Sequence, residues 1–311
     1  MDNTNSSDPL FIIENSGNTC YIDSLLMALF YHPSHIDGIL RKIPKNTDNI
    51  YLQEYIYECF VQQVRKNNSI LMDTIDTLRY ICIRCGWICF EEVYEQQDVN
   101  EFYTFLMETF DTVPIQFKKE TFTDISNESG EIEELYFIPL SLPYNKELGT
   151  CIEEEVKVKD LLYNWLYSND VDVNRSVTYK GEKIKENVKG LNVYHLQNIP
   201  DFVALSINRF PTVNKRLDIN VNIQKKICPF RNSNDMNLKD IEWSFHSAIC
   251  HRGDDLQSGH YYSLLYNKDT DIWYIFDDQC QPSIYEVKMD DKSVTTDIRK
   301  NCVFLIYKLG F

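Results

Sequence analysis

The sequence predicts an α+β fold in which a helical lobe precedes an antiparallel β-sheet. Two observations lead to this prediction. Up to about residue 113, apolar residues recur at the spacing of amphipathic helices, whereas the later apolar runs are short and rich in β-branched and aromatic residues. Helices that are grouped before strands favour a segregated α+β arrangement over alternating βα units.

The first predicted helix is the segment CYIDSLLMALFY, which begins with Cys20. Leu25 and Leu29 fall at i, i+4 spacing, and Thr19 or the turn before it could cap the helix. Cys20 is therefore expected in the first helical turn. Three further helices are predicted at 51–64, about 71–83 and 96–110, and the last of these is strongly amphipathic.

The second part of the chain is predicted to consist mainly of strands. They are expected at 135–142, 201–210 and 216–223 and in four later segments, WSFHSAICH, GHYYSLLY, IWYIFDD and CVFLIYK, with one helix at 156–167. The polar segments 123–134 and 231–237 are predicted to be loops. Neither loop is long enough to separate domains, so residues 1–311 are expected to form a single domain.

The composition excludes several classes of function. The net charge of −16 argues against nucleic acid as a partner, because such binding depends on Lys and Arg at phosphates. No apolar run approaches the ~20 residues of a membrane span, and the N-terminus MDNTNSSDPL lacks the pattern of a signal peptide. We therefore expect a soluble, intracellular protein with no membrane partner. Its ten cysteines are expected to be reduced.

Cys20 and His260 are the candidate nucleophile and base. A thiol needs a base or a positive electrostatic setting to react at neutral pH, and the first turn of a helix supplies the latter. Among the six histidines, His260 is distinguished because it follows a glycine at the head of a predicted strand. A hairpin would bring Asp277 or Asp278 beside it, where a carboxylate orients the imidazole. Taken singly, each residue is more often structural, and only their joint occurrence in this order favours catalysis.

Four motifs in the chain resemble those of the ubiquitin-specific proteases, a family of papain-like cysteine proteases. The segment NSGNTCYIDS is similar to the family's N-x-G-N-T-C followed by an aromatic residue and x-N-S, and QQDVNEF matches Q-x-D-x-x-E-F. HRGDDLQSGHYYSLLY and WYIFDD match H-x-G, G-H-Y and W-x-x-F-D-D, and VALSINRF matches a strand ending in L-x-L-x-R-F. The resemblance extends from residue 11 to about 307 and covers nearly the whole chain.

This resemblance implies a helical thumb lobe at about 11–113 and, at about 114–311, an antiparallel β palm with short fingers. It also implies hydrolysis of the isopeptide bond after the C-terminal glycine of ubiquitin, through a Cys-His-Asp triad and a thioester. Cys20 would then be the nucleophile, His260 the base and Asp277 the orienting carboxylate. Asn15, with the backbone N–H of Cys20, would bind the oxyanion. Asp278 is the alternative triad acid, or a second polar contributor near the oxyanion.

The resemblance further implies a narrow channel for a substrate tail that ends in Leu-Arg-Gly-Gly. Asp98 and Glu101 are candidate partners for arginine in that tail. Gly259 would give room for backbone approach, and Tyr261 would line the channel floor. A solvated helix face and ordinary packing are the alternative explanation for these residues.

Two positions depart from the family pattern, because Asp23 stands where the family has Asn and Met27 stands where it has Gln. We expect altered packing or partner contact there, and no loss of chemistry. Many members hold zinc in the fingers through two C-x-x-C pairs, but this chain has only Cys151 in that interval, so we expect no metal and no cofactor. A further group of cysteines is expected in a core helix and not in a metal site: Cys82, Cys85 and Cys89.

Two other functions stay open at this point. The chain could be a protease for another ubiquitin-like modifier, since the catalytic motifs do not include the surfaces that distinguish modifiers. It could also be a catalytically dead ubiquitin-binding module, although the presence of Cys20, His260 and Asp277 argues against this. For the ubiquitin-specific protease that the resemblance implies, the expected partners are ubiquitin and ubiquitinated proteins in the cytoplasm or nucleus of a eukaryotic cell, and the chain is expected to be a monomer.

Overall fold

The computed structural model describes residues 11–92, 94–123, 127–145, 150–179, 182–211, 215–229, 241–255 and 258–310. The first part is helical, with five α-helices and three short helical segments of other types in the described residues. In chain order they are α1 (Cys20–Phe30), a 3-10 turn (His35–Leu40), α2 (Thr47–Tyr55), a π-helical segment (Ile56–Val61), α3 (Gln62–Arg65), α4 (Met72–Arg84), a 3-10 turn (Phe90–Glu92) and α5 (Val99–Thr109).

Strands follow, together with two more helices. The strands are β1 (Ile115–Phe122), β2 (Asn127–Leu135), β3 (Ile138–Ser141), β4 (Tyr144–Asn145), β5 (Thr150–Cys151), β6 (Glu155–Lys157), β7 (Tyr167–Tyr179), β8 (Glu182–Leu196), β9 (Phe202–Asn208), β10 (Asn220–Asn222), β11 (Lys226–Ile227), β12 (Trp243–Arg252), β13 (His260–Asn267), β14 (Ile272–Phe276), β15 (Ile284–Val287) and β16 (Cys302–Leu309). The helices are α6 (Val158–Leu166) and α7 (Lys292–Asn301).

The largest sheet has the strand order β15-β14-β13-β12-β16-β9-β3, with β11 paired beside β12. Its neighbours are antiparallel except β3 and β9, which are parallel. A second sheet has the order β2-β1-β8-β7, and two short pairs join β4 to β5 and β6 to β10. Helices before strands and a mainly antiparallel sheet confirm the predicted α+β class.

The large sheet separates two hydrophobic clusters. On one face, helices α1 to α5 pack with sheet residues that include Ile249, Tyr261 and Phe276. The opposite face packs against α6, α7 and the second sheet. All eleven residues of α1 are buried, as is typical of a helix enclosed on every side. Side-chain hydroxyls fix this helix to the sheet, because Ser263 and Ser247 donate to the α1 carbonyls of Ser24 and Ala28 at 2.6 and 2.7 Å.

Most predicted elements are present, and the exceptions are polar segments. The predicted loop 123–134 is wrong from residue 127 onward, because β2 (NESGEIEEL) pairs along β1 despite its charges. The predicted strand 216–223 is confined to Asn220–Asn222, although Leu217, Ile219 and Val221 are buried in alternation as expected. The hairpin β7–β8 was not predicted, and the predicted loop 231–237 lies outside the described residues.

No helix in the described ranges has both the length and the apolar character that a bilayer span requires.

Candidate active site

Cys20 is the first residue of α1, and the turn that precedes it is fixed by hydrogen bonds from α4. Gly17 and Asn18 have φ values of +67° and +55°, a conformation that glycine and asparagine adopt more easily than other residues. The buried guanidinium of Arg79 donates to the carbonyls of Ser16 and Gly17 at 2.8 and 2.6 Å. The turn is therefore fixed to α4, and the Cys20 side chain lies at a helix N-terminus with 3% exposure.

His260 and Asp277 form a buried pair at the open end of a hairpin. His260 is the first residue of β13, and Asp277 directly follows β14, whose Phe276 pairs with Ser263. Nε2 of His260 lies 2.8 Å from Oδ1 of Asp277, and the two side chains are 9% and 3% exposed. This is the return of the carboxylate that the hairpin predicts. Because Nε2 is bonded to Asp277, the second ring nitrogen, Nδ1, is the one left for a proton exchange.

The thiol of Cys20 lies against the same strand. Burial raises the pKa of Cys20 to about 12, although the backbone N–H of Tyr261 donates to the sulfur and lowers it. The charges of Asp278 and Asp23 raise the pKa further. In this arrangement desolvation outweighs the favourable helix terminus, so the cysteine is a neutral thiol at pH 7.

Asp278 is the second carboxylate at His260, and it also holds Asn15. Its Oδ1 lies 3.4 Å from Nε2 of His260, farther than the 2.8 Å of Asp277. Its Oδ2 accepts a hydrogen bond from Nδ2 of Asn15 at 2.7 Å. Burial raises the pKa of Asp278, against the lowering effects of His260 and of the Asn15 bond. The distances favour Asp277 as the partner of His260 and Asp278 as the support of Asn15.

Asp23, on α1, lies next to Asp278 and has no exposure to solvent. Its side chain is fully buried, and neither carboxylate oxygen has a hydrogen-bond donor among the described residues. Burial raises the pKa of Asp23 well above the ordinary value, and so does the adjacent carboxyl of Asp278. Direct contact of Asp23 with a partner, one of the two expectations from the sequence, is therefore wrong because the residue is enclosed.

Asp98 and Glu101 stand at the start of α5. Asp98 caps the helix by accepting from the backbone N–H of Asn100 at 2.6 Å, while Glu101 is exposed. Burial and then the charge of Asp98 raise the pKa of Glu101. Gln96, just before this turn, contacts Nε2 of His251 at 3.1 Å and so joins the start of α5 to β12.

Gly259 and Tyr261 flank His260 in the chain and pack against the protein itself. Gly259 has φ +143°, and a Cβ there would lie 2.4 Å from the carbonyl oxygen of Arg252 and 2.5 Å from Nε2 of His251. The close approach that requires glycine is thus made by strand β12. Tyr261 is 3% exposed, and its ring lies 4.6 Å from the His251 ring, so the side chain packs inside the protein.

Two groups of side chains contain residue types that bind metals. In the described part of the chain, the ligand atoms of His260, Asp277 and Asp278 lie within 4.8 Å of one another, but Nε2 of His260 is already bonded to Asp277. The absence of a metal at this group stays a prediction. The second group is Cys82, Cys85 and Cys89, which the sequence predicts to lie in a core helix. This prediction is right for Cys82 only, which is buried in α4. Cys85 is the C-cap of α4, and Cys89 is exposed beyond the end of the helix.

Comparison with known proteins places the chain in a family. The family model described as ubiquitin carboxyl-terminal hydrolase matches residues 12–307. The chain belongs to this family. Ubiquitin carboxyl-terminal hydrolase 15 of Schizosaccharomyces pombe is 21% identical over 311 residues, covering 90% of this chain and 25% of that protein. Ubiquitin carboxyl-terminal hydrolase 12 of Salmo salar is 22% identical, covering 94% of this chain and 86% of the relative.

A solved structure shows the same fold. In the SAGA DUB module Ubp8/Sgf11/Sus1/Sgf73 bound to monoubiquitin, the matched chain superposes with a TM-score of 0.67 at 16% identity, covering 97% of this chain and 69% of that one. The chain spans about a quarter of the length of the fission-yeast relative and most of the salmon one. The predicted α+β protease fold is confirmed.

Sequence reasoning missed two residues that the structure brings into the site. Arg252 stands inside the H-x-G motif between His251 and Gly253, yet the motif gives no role to its middle position. The strand register places Arg252 opposite His260. Asp23 was noticed as a departure, but its contact with Asp278 joins residues far apart in the chain and needs the fold to be seen.

Proposed function

We propose that the chain is a thiol-dependent deubiquitinase that hydrolyses the isopeptide bond after the C-terminal glycine of ubiquitin. One observation carries the proposal: a buried His260–Asp277 pair at 2.8 Å whose neighbour in the chain, Tyr261, donates its N–H to the sulfur of Cys20. Membership of the ubiquitin carboxyl-terminal hydrolase family supports the substrate, as does the fold shared with a module bound to monoubiquitin.

In the first half of the reaction, Nδ1 of His260 accepts the thiol proton while the sulfur of Cys20 bonds to the glycine carbonyl carbon. The carbonyl electron pair moves onto oxygen and forms a tetrahedral oxyanion. When the oxyanion collapses, the C–N bond breaks and the proton passes from His260 to the departing lysine amine. Asp277 keeps the imidazole oriented and stabilises its charged form.

In the second half, water gives a proton to Nδ1 of His260 and its oxygen bonds to the thioester carbon. Collapse breaks the C–S bond, and the proton returns to the sulfur of Cys20. Because the thiol is neutral at rest, removal of its proton is coupled to attack, and the carboxylate of Asp277 offsets the charge that His260 gains.

The oxyanion of both halves needs donors at the N-terminus of α1. The backbone N–H of Cys20 is free of the helix ladder there, and the helix dipole favours negative charge. One N–H of the Asn15 amide is bonded to Asp278, which leaves the other to point at the substrate oxygen. Asp278 thus acts on the reaction by fixing Asn15.

The substrate tail is proposed to run along the start of α5. Asp98 and Glu101 lie in one turn and offer two carboxylates to an arginine. Tyr261 underlies the path, and Gly259 lets the strand end pack closely beside it. The proposal treats residues 1–311 as one catalytic domain without a metal or cofactor, acting as a monomer inside a eukaryotic cell.

The test is reaction with ubiquitin that carries a C-terminal electrophile, together with Cys20→Ala and equivalent probes for other ubiquitin-like modifiers. We expect one adduct per chain with the ubiquitin probe, none in Cys20→Ala, and retained ubiquitin binding in that variant. Labelling by a different modifier alone would reassign the substrate. Labelling of Cys20→Ala would reassign the nucleophile, and the absence of any adduct would leave a binding module.

A further inference from the structure

Arg252 occupies a place in the site that neither the motifs nor the mechanism explain. It is the last residue of β12, and its register partner on β13 is His260. Residues that pair across antiparallel strands project to the same face of the sheet. The guanidinium and the imidazole therefore emerge side by side.

Asp277 lies between these two groups and contacts both. Its Oδ1 lies 2.8 Å from Nε2 of His260, and its Oδ2 accepts from a terminal nitrogen of Arg252 at 2.9 Å. Each carboxylate oxygen thus has a charged or chargeable partner. The backbone N–H of Gln279 gives the carboxylate a third hydrogen bond, to Oδ1 at 3.1 Å.

The guanidinium is itself held from two other directions. Its second terminal nitrogen donates to Oδ2 of Asp297, on α7, at 3.0 Å, and its central carbon lies 3.9 Å from the centroid of the Tyr262 ring. The Tyr262 hydroxyl donates to the same oxygen of Asp297 at 2.6 Å, and Asn301 donates to the other oxygen at 2.8 Å. The Arg252 side chain is therefore held in one orientation by contacts with Asp277, Asp297 and Tyr262.

We propose that Arg252 is a positioning residue for the reaction, which orients Asp277 and through it His260, and which is itself anchored on α7 by Asp297. This inference rests on the proposed function, since it assumes that the triad is the reacting group. Helix α7, which lies outside the sequence motifs, thereby affects the reaction through Asp297.

The electrostatics agree with this geometry. Burial by itself raises the pKa of Asp277, but hydrogen bonds from His260, Gln279 and Arg252 outweigh it, and the pKa lies below its ordinary value. Arg252 is 41% exposed, and ion pairs between exposed side chains contribute little. Here, however, the carboxylate is 3% exposed, so the loss of one partner leaves a buried oxygen unpaired.

The charged and titratable groups around this pair come from several elements. They stand on β13, on the loop after β14, on β15 and on α7: His260, Tyr262, Asp278, Cys280, Tyr285 and Asp297. Besides His260, the Arg252 guanidinium is the side chain that lowers the pKa of Asp277, through its hydrogen bond to the other carboxylate oxygen. Its removal should raise that pKa and move the acid limb of the pH profile upward.

The experiment compares Arg252→Gln, Arg252→Lys and Asp297→Asn, using ubiquitin with a fluorogenic C-terminal amide. Arg299→Gln is the matched control, because Arg299 lies on α7 and is 40% exposed. It forms an ion pair at 4.0 Å with Glu155, which is not part of the site. For Arg252→Gln we expect kcat to fall roughly 10- to 100-fold with KM nearly unchanged, as for a small misplacement of a catalytic group. The acid limb of kcat/KM should move to higher pH.

The conservative variants separate positioning from a simple loss of stability. Arg252→Lys should restore part of kcat and the position of the acid limb, because the ammonium keeps the charge but loses the two-sided geometry. Asp297→Asn should lower kcat less than Arg252→Gln, without touching the triad. The pH profile of Cys20 alkylation by iodoacetamide gives the same readout without ubiquitin, and it should move in Arg252→Gln and not in Arg299→Gln.

The inference is overturned if Arg252→Gln is folded, as judged by its thermal transition, and matches Arg299→Gln in kcat and in both pH profiles. It is also overturned if Arg252→Gln loses activity only in proportion to lost folded protein while its alkylation profile stays in place. Failure of the proposed function looks different, because the unmodified chain itself would then neither cleave the substrate nor react with the ubiquitin electrophile.

Discussion

Replacing Asp23 by Asn should stabilise the protein, and the gain should depend on pH. Asp23 is fully buried on α1, and neither of its oxygens has a donor among the described residues. Burial, followed by the neighbouring Asp278, raises its pKa well above the ordinary value. The amide in Asp23→Asn has nearly the same shape and can donate to Oδ1 of Asp278, which also lacks a donor.

The sign of the effect follows from proton binding. The folded chain holds a proton on Asp23 at pH values where the unfolded chain has released it, so the folded state binds more protons across this window. The free energy of unfolding therefore falls as pH rises from about 4, the ordinary pKa of Asp, toward the raised pKa of the folded state. Asp23→Asn removes this dependence.

The magnitude follows from the orphaned atoms. Leaving a buried polar group without a partner costs roughly 1–3 kcal/mol. In a chain of this size, about 2 °C in Tm corresponds to each kcal/mol, so the variant should melt roughly 2–6 °C higher at pH 7.5. The gain should be smaller at pH 5, where the unfolded state is itself partly protonated.

The assay is thermal denaturation followed by circular dichroism at pH 5.0 and 7.5. Asp37→Asn is the matched control, because Asp37 is also buried but accepts two hydrogen bonds from Arg65 at 3.0 and 2.8 Å. The same chemical change there should lower Tm. A lower Tm for Asp23→Asn at pH 7.5, or a gain that is equal at both pH values, would refute the reasoning.

Two further predictions concern the donors and the strand end. Asn15→Ala should lower kcat roughly 100- to 1000-fold, with little change in KM, because it removes the proposed oxyanion donor; an unchanged kcat would show that Asn15 serves only to pair with Asp278. Gly259→Ala should lower Tm by several degrees, since its Cβ would meet the Arg252 carbonyl at 2.4 Å with φ at +143°. Gly38→Ala, where a Cβ meets nothing within 4 Å, is the control and should leave Tm nearly unchanged.

The sequence was most informative where chemistry and local geometry coincide. A hairpin between two predicted strands was enough to bring a carboxylate to His260, and the structure shows that hairpin with Asp277 the nearer of two aspartates. The choice between Asp277 and Asp278 needed coordinates. Both residues directly follow β14, and small changes in the backbone dihedral angles there decide which carboxylate points at the imidazole. Nε2 of His260 lies 2.8 Å from Oδ1 of Asp277 and 3.4 Å from Oδ1 of Asp278, and no pattern in the sequence predicts so small a difference in distance.

Other features were hidden because they depend on distant pairing. Strands β2, β7 and β8 carry charges along their length, so apolar alternation does not reveal them, and their ladders with β1 and with each other define them instead. Arg252 has an ordinary sequence context, and its importance comes from a register partner on one side and from α7 on the other. A buried acid such as Asp23 is recognised only when its enclosure is known.

The seating of α1 on the sheet has a consequence for how the protein should lose activity on warming. The thiol of Cys20 belongs to the helical layer and the imidazole of His260 to the β-layer, and hydrogen bonds from Ser263 and Ser247 join the two layers. Sliding of one layer by a fraction of a helical turn would move the sulfur relative to the imidazole while leaving both layers folded. Under the proposed mechanism, activity therefore depends on this junction and should be lost at a lower temperature than the secondary structure.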